Sequence, residues 1–157
     1  MLMFYLPLIT FTFFATKLSI VDYHTFRLPN KLVAAGYMVS LSVVLLNMNL
    51  DRIVKSMAMS FIYLICFIGL QQISRNSIGY GDVKYSALCG LLIGFYSSTD
   101  WVLWTWLIGT WLMFLSAALQ AIFQILVSRK SFKERLAFGP HMSLATIVLC
   151  LNSLSAQ

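Results

Sequence analysis

The chain is dominated by a succession of long apolar runs, and no other feature of the sequence limits its fold as strongly. A helix needs about 20 apolar residues to cross the hydrocarbon core of a bilayer. Six runs reach or approach that length, although the fourth is short and the fifth is long enough to tilt. We predict helices at roughly 2–21, 32–50, 53–72, 82–97, 101–127 and 137–154.

Composition indicates that lipid surrounds most of this chain. Of its 157 residues, 60% are hydrophobic and only 10% are charged, whereas soluble domains carry about 25% charged residues. We therefore predict an all-α polytopic membrane protein, a bundle of about six transmembrane helices that forms a single domain over residues 1–157. No basic region precedes the first apolar run, so we expect a retained helix and not a cleaved signal peptide.

The basic residues predict the orientation of the bundle. The formal net charge is +6, but the basic residues lie in short connections between apolar runs, so we expect no nucleic-acid partner. By the positive-inside rule, the side with most of them faces the cytoplasm, and both termini then lie on the outer side of the cytoplasmic membrane. Nine of the 11 basic residues share that side: Lys17, Arg27, Lys31, Arg75, Lys84, Arg129, Lys130, Lys133 and Arg135.

Two carboxylates are the candidate reactive groups. Of the five acidic residues, Asp22 and Asp82 are the pair that adjoins apolar helices on the predicted cytoplasmic side. An ionised group at the entrance to a membrane helix is costly and indicates function. Two neighbouring carboxylates can share one proton, so that one activates water while the other polarises a carbonyl. This pattern predicts hydrolysis without a metal or cofactor.

The residues around Asp82 support a substrate site. Gly79 and Gly81 have no Cβ, which permits positive φ or the close approach of another backbone. Lys84 follows Asp82 by two positions, about 200° around a helix, so we do not expect the two to pair. Instead, Lys84 is expected to snorkel to the interface or to contact substrate carbonyls or lipid phosphate.

Several alternatives remain open at this level. Asp82 could be a helix N-cap after a glycine turn, and His24 or His141 could act with a carboxylate as a general base. The chain could be a proton- or cation-coupled transporter with intramembrane carboxylates, or an assembly subunit without catalysis. Two histidines and three isolated cysteines form no recognisable metal site.

Three motifs occur in order along the chain: Asp22 with Arg27-Leu28-Pro29-Asn30, then Gly79-Tyr80-Gly81-Asp82-Val83-Lys84, and Phe138-Gly139-Pro140. This ordered set resembles the motifs of the type IV prepilin peptidase family, membrane aspartic peptidases of the Gly-x-Gly-Asp type. Presenilin-like peptidases share the Gly-x-Gly-Asp but differ in the context of the first aspartate and carry a Pro-Ala-Leu element that is absent here.

The resemblance implies that Asp22 and Asp82 are catalytic and that the partner is a prepilin or pilin-like precursor. Cleavage would occur at the cytoplasmic membrane edge, between a short basic leader and the apolar helix that follows. Many members have proline where this chain has Ala137. Without the N-terminal extension and paired cysteines of longer members, we expect cleavage but no N-methyltransferase activity. The resemblance also implies supporting or substrate-binding roles for Arg27, Pro29, Asn30, Gly79, Gly81, Lys84, Gly139 and Pro140.

Overall fold

The computed structural model describes residues 2–73, 79–97, 104, 107–109, 111–112, 115 and 137–155. These residues are helical apart from short connections, and they contain no strand. The described residues between 104 and 115 are helical and belong to the predicted fifth segment. The rest of that segment and the basic connection 128–136 lie outside the described residues. The helices with defined bounds are α1 (Leu2–Thr25), α2 (Asn30–Leu46), α3 (Leu50–Ile73), α4 (Tyr80–Tyr96) and α5 (Gly139–Ser155).

The outer surface of the described helices is apolar. Met3–Thr25, within α1, and α3 are long and apolar enough to cross a membrane, and α2 is a shorter apolar helix. Large hydrophobic side chains point away from the bundle, and a soluble monomer rarely exposes so many. Among them are Phe13, Ile20, Met38, Phe61 and Leu144, all more than half exposed.

Helix α4 forms the centre of the bundle. Every residue from Tyr85 to Tyr96 is buried, and α4 contacts α1, α2, α3 and α5. A helix enclosed on all sides is apolar around its whole circumference, without a polar face. This explains why the predicted fourth segment is a continuous apolar run although it is short.

Glycines allow α3 and α4 to pack backbone against backbone. A Cβ on Gly90 would lie 2.6 Å from the carbonyl oxygen of Met59 and 2.9 Å from Cα of Ser60. One turn further along α4, a Cβ on Gly94 would meet the carbonyl oxygen of Lys55. Small residues serve helix pairs in membranes in the same way, because they permit close backbone approach.

Substituting alanine at Gly90 is therefore expected to destabilise the bundle. The added methyl group meets backbone atoms, which cannot turn aside as a side chain can, so we expect a loss of about 1–3 kcal/mol. Gly69→Ala in α3 is the control, because a Cβ there has nothing within 4 Å and alanine favours a helix. Thermal unfolding in detergent measures both. Equal melting temperatures for the two variants would contradict the packing described.

Helix α1 ends later than predicted. Its end was predicted at about residue 21, but the helix continues to Thr25. Phe26 then adopts a left-handed conformation with φ 51°, and its N–H donates to the carbonyl of Asp22 at 2.8 Å, as at many helix C-termini. Pro29 precedes the first residue of α2. Asp22 consequently lies in the last helical turn of α1, held by helical backbone.

Candidate active site

Asp22 is a buried carboxylate held by the start of another helix. Its residue is 4% exposed, and Oδ2 accepts a hydrogen bond from the backbone N–H of Gly139 at 2.8 Å. The first amides of a helix have no partner within the helix, and they stabilise a negative charge. The first and third sequence motifs therefore meet through this contact, although 117 residues separate the two groups.

Gly139 leaves room for that carboxylate. A Cβ at this position would lie 2.9 Å from Oδ2 of Asp22 and 3.4 Å from its Cγ. Pro140 follows within the first turn of α5, where a residue without an N–H leaves no helical hydrogen bond unmade. The Phe-Gly-Pro sequence thus starts α5 with an amide that faces Asp22 and without a Cβ that would crowd the Asp22 carboxylate.

Asp82 reaches back over the start of its own helix. Gly79 is the N-cap of α4, which makes Asp82 the third helical residue. Its carboxylate accepts a hydrogen bond from the backbone N–H of Gly79, as the third residue does in a capping box. A Cβ on Gly79 would lie 3.1 Å from Oδ2 of Asp82. The alternative that Asp82 itself is the N-cap is wrong, because α4 begins two residues earlier than the predicted start at 82.

The two aspartates lie at the same end of the bundle and within electrostatic range of each other. The charge of Asp22 acts on the carboxyl group of Asp82, and each carboxylate is bonded to a glycine amide. Two neighbouring carboxyl groups in a partly desolvated site disfavour double ionisation.

The first two motifs pack against each other through Gly81. A Cβ on Gly81 would lie 2.7 Å from Cβ of Leu28 and 2.9 Å from its carbonyl oxygen. Among the described residues no glycine has a positive φ, so Gly79 and Gly81 do not use the positive φ that the sequence permits. The close backbone approach that the sequence also allowed is what the structure shows at Gly81.

Lys84 makes a second contact between these motifs. Its Nζ donates to Oδ1 of Asn30 at 3.0 Å on the exposed surface. Asn30 is the first residue of α2, directly after Pro29. Arg27 has an exposed side chain, and its carbonyl oxygen accepts a hydrogen bond from Thr25 Oγ1 at 3.0 Å. The site residues of the first motif therefore shape the α1–α2 connection and fix it to α4.

A hydrogen-bonded cluster that the motifs did not indicate lies one helical turn beyond the carboxylates. It consists of Ser19, Tyr85 and Ser143, whose hydroxyl groups lie within hydrogen-bonding distance of one another through Ser143. Single serines and tyrosines in apolar runs carry no local signature. The available signal was their spacing from the site residues. Ser19 and Tyr85 are three residues from Asp22 and Asp82, and Ser143 is four from Gly139. Residues three or four apart lie on the same face of a helix.

Comparison with known proteins shows a match to a protein family over most of the chain. The model of the type IV leader peptidase family matches residues 9–125, which include the first two motifs. No curated protein and no solved structure matches the chain significantly. Within the described residues, no three His, Cys, Asp or Glu side chains are grouped so that they could hold a metal ion.

Proposed function

Since the chain belongs to the type IV leader peptidase family, we propose that it is an aspartic endopeptidase in which Asp22 and Asp82 jointly activate water. The observation that carries this proposal is the arrangement of the two carboxylates. Both lie at one end of the bundle, and each carboxylate lies against a glycine at the start of a helix, Gly139 for Asp22 and Gly79 for Asp82. Membership of the family accounts for peptide hydrolysis. Among the described acidic residues, Asp22 and Asp82 are the pair that lies together at one end of the bundle.

The proposed reaction needs one protonated and one ionised carboxyl group. The ionised member takes a proton from water as the water oxygen attacks the scissile carbonyl carbon. The protonated member donates a hydrogen bond to the carbonyl oxygen, which becomes a hydroxyl of the tetrahedral intermediate. When the C–N bond breaks, a proton passes to the leaving amine and the pair again holds one proton. The bond from Gly139 uses Oδ2 of Asp22 and leaves its other oxygen for this chemistry.

The proposed substrates are prepilin or pilin-like precursors, cut between a short basic leader and the apolar helix that follows. A site at one end of an apolar bundle suits such a bond, because the apolar helix can remain in the bilayer while its end enters the site. The distribution of basic residues supports a multi-pass protein of the cytoplasmic membrane, with this end and the site at the cytoplasmic face.

Cleavage of prepilin precursors by the purified full chain in detergent tests this function. We expect two products whose masses place the cut at the junction of leader and apolar helix. A matched precursor with a charge inserted into the apolar helix should be cut poorly, because that helix can no longer stay in the micelle. Failure to cut any of a panel of prepilins, together with pH-dependent ion flux in liposomes, would support the transporter alternative and contradict the proposal.

A further inference from the structure

Three hydroxyl groups form a layer directly beneath the candidate carboxylates. Each belongs to a helix that carries one component of the site, and each lies one turn deeper in the bundle. Ser19 precedes Asp22 by three residues on α1, and Tyr85 follows Asp82 by three on α4. The third, Ser143, follows Gly139 by four on α5. The layer therefore contains one residue from each of the three helices that contribute Asp22, Asp82 and Gly139.

The contacts within the layer all meet at Ser143. Its Oγ lies 2.6 Å from the hydroxyl of Tyr85 and 3.0 Å from Oγ of Ser19. It also donates to the carbonyl oxygen of Gly139 at 2.8 Å. Tyr85 is fully buried and Ser143 is 6% exposed, so water does not substitute readily for these partners.

The chemistry of a serine hydroxyl assigns the protons. Serine has one proton to donate and two lone pairs that accept. A carbonyl oxygen can only accept, so the Ser143 proton goes to Gly139 and the lone pairs receive the protons of Tyr85 and Ser19. All three hydrogen-bonding positions of Ser143 are then filled. The Tyr85 proton is committed to Ser143, which argues against a role for Tyr85 as a proton donor to substrate.

Gly139 is consequently held at both of its backbone groups. Its carbonyl accepts from Ser143, and its N–H donates to Asp22. The ring of Tyr85 is itself held by a parallel contact with Phe11, with centroids 6.4 Å apart. A shift of Gly139 would move the amide that orients the Asp22 carboxylate.

From this geometry we propose that Ser143, Tyr85 and Ser19 are positioning residues, which set the orientation of Asp22 through Gly139. The inference rests on the proposed function, since it concerns the orientation of a carboxylate that takes part in cleavage. Tyr85 and Ser143 are buried one turn below the carboxylates, so loss of the layer should act on kcat and leave KM nearly unchanged.

Steady-state cleavage kinetics of the full chain in detergent test this role. Ser143→Ala removes all three contacts, and we expect kcat to fall about tenfold to a hundredfold, since small misplacements of reacting groups cost that much. Tyr85→Phe removes one contact and should lower kcat less. The double variant should be no slower than Ser143→Ala alone, because the Tyr85 bond ends on Ser143.

Two variants at the other end of α3 and α4 serve as matched controls. Ser56 is fully buried and donates to the carbonyl of Arg52 at 2.7 Å. Tyr96, on the same helix as Tyr85, donates to the carbonyl of Phe4 at 2.7 Å. Ser56→Ala and Tyr96→Phe lose the same kinds of bond far from the carboxylates, so we expect both to keep the wild-type kcat whatever their melting temperatures.

A conservative variant separates positioning from folding. Ser143→Thr retains the hydroxyl, and Thr146 on the same helix already donates to the carbonyl four residues before it, at 2.8 Å. We expect Ser143→Thr to recover most of the kcat that Ser143→Ala loses.

The inference is overturned if Ser143→Ala and Tyr85→Phe keep the kcat of the two controls, or if they change KM alone. The same experiment distinguishes this failure from failure of the proposed function. Wild-type kcat in Ser143→Ala, with Asp22→Asn inactive, would contradict only the positioning role of the layer. Cleavage by Asp22→Asn at the wild-type rate would contradict the proposed function on which that role depends.

Discussion

Replacing either Asp22 or Asp82 with asparagine is expected to slow precursor cleavage at least about a thousandfold, within the range for loss of a positioned acid or base. Asparagine keeps the size of the side chain and can still accept the glycine N–H. It can neither take a proton from water nor return one to the leaving amine. Because one member of the pair carries a proton from water to the leaving amine while the other exchanges a proton with the carbonyl oxygen, both substitutions should be severe. Product formation under saturating substrate measures the effect.

Asp51→Asn is the matched control for these variants. Asp51 lies in the first turn of α3 and forms an ion pair with Lys55, near the end of α4 that is remote from Asp82. Its carboxylate is mostly exposed, so the pair contributes little to stability, and we expect normal cleavage. Loss of activity in Asp51→Asn equal to that in Asp82→Asn would show that the assay reports damage to the fold.

The second large effect is expected at Gly139. In Gly139→Ala the new methyl group would lie 2.9 Å from Oδ2 of Asp22, closer than a Cβ atom normally approaches another group. The carboxylate must turn away, which lengthens its bond to the Gly139 amide and changes its direction towards Asp82. We expect kcat to fall about a hundredfold, the size associated with misplacement of about 1 Å, while the protein still folds. Steady-state kinetics beside thermal unfolding measure the two properties separately.

Gly79→Ala provides a graded comparison with Gly139→Ala. A Cβ on Gly79 would lie 3.1 Å from Oδ2 of Asp82, but Gly79 is exposed, and a small rotation of the Asp82 side chain relieves the contact. We therefore expect a smaller loss of kcat at Gly79 than at Gly139. Normal kcat in Gly139→Ala would contradict the role assigned to its open space. A melting temperature far below that of the control Gly69→Ala would show instead that Gly139 acts on folding.

The motifs indicated which residues lie together at this end of the bundle, because each residue type has a local reason for its position. Gly79 allows a tight helix start and Pro29 fixes the start of α2. Lys84, about 200° from Asp82 on the helix, lies beside Asn30 instead of beside the aspartate. The resemblance drawn from these motifs is confirmed by the family match, and the all-helical fold is confirmed for the described residues.

Other features depend on packing that no local pattern encodes. The end of α1 was predicted four residues too early, because Tyr23, His24 and Thr25 are polar or half-polar but do not break a helix. The helix stops where Phe26 adopts a positive φ, a conformation that a phenylalanine in the sequence does not predict. Likewise, the contact between Ser19 and Ser143 joins residues 124 positions apart. It exists only because α1 and α5 are neighbours, which apolar runs alone do not specify.

The measurement that bears most directly on the joint action of Asp22 and Asp82 is single-turnover cleavage by Asp22→Asn, Asp82→Asn and the double variant, each in excess over substrate. Residues that act as one unit lose their effect together, so removing the second costs little once the first is gone. We predict that the double variant retains the residual rate of either single variant. Losses that multiply, or a single variant that cleaves at the wild-type rate, would contradict a two-aspartate mechanism.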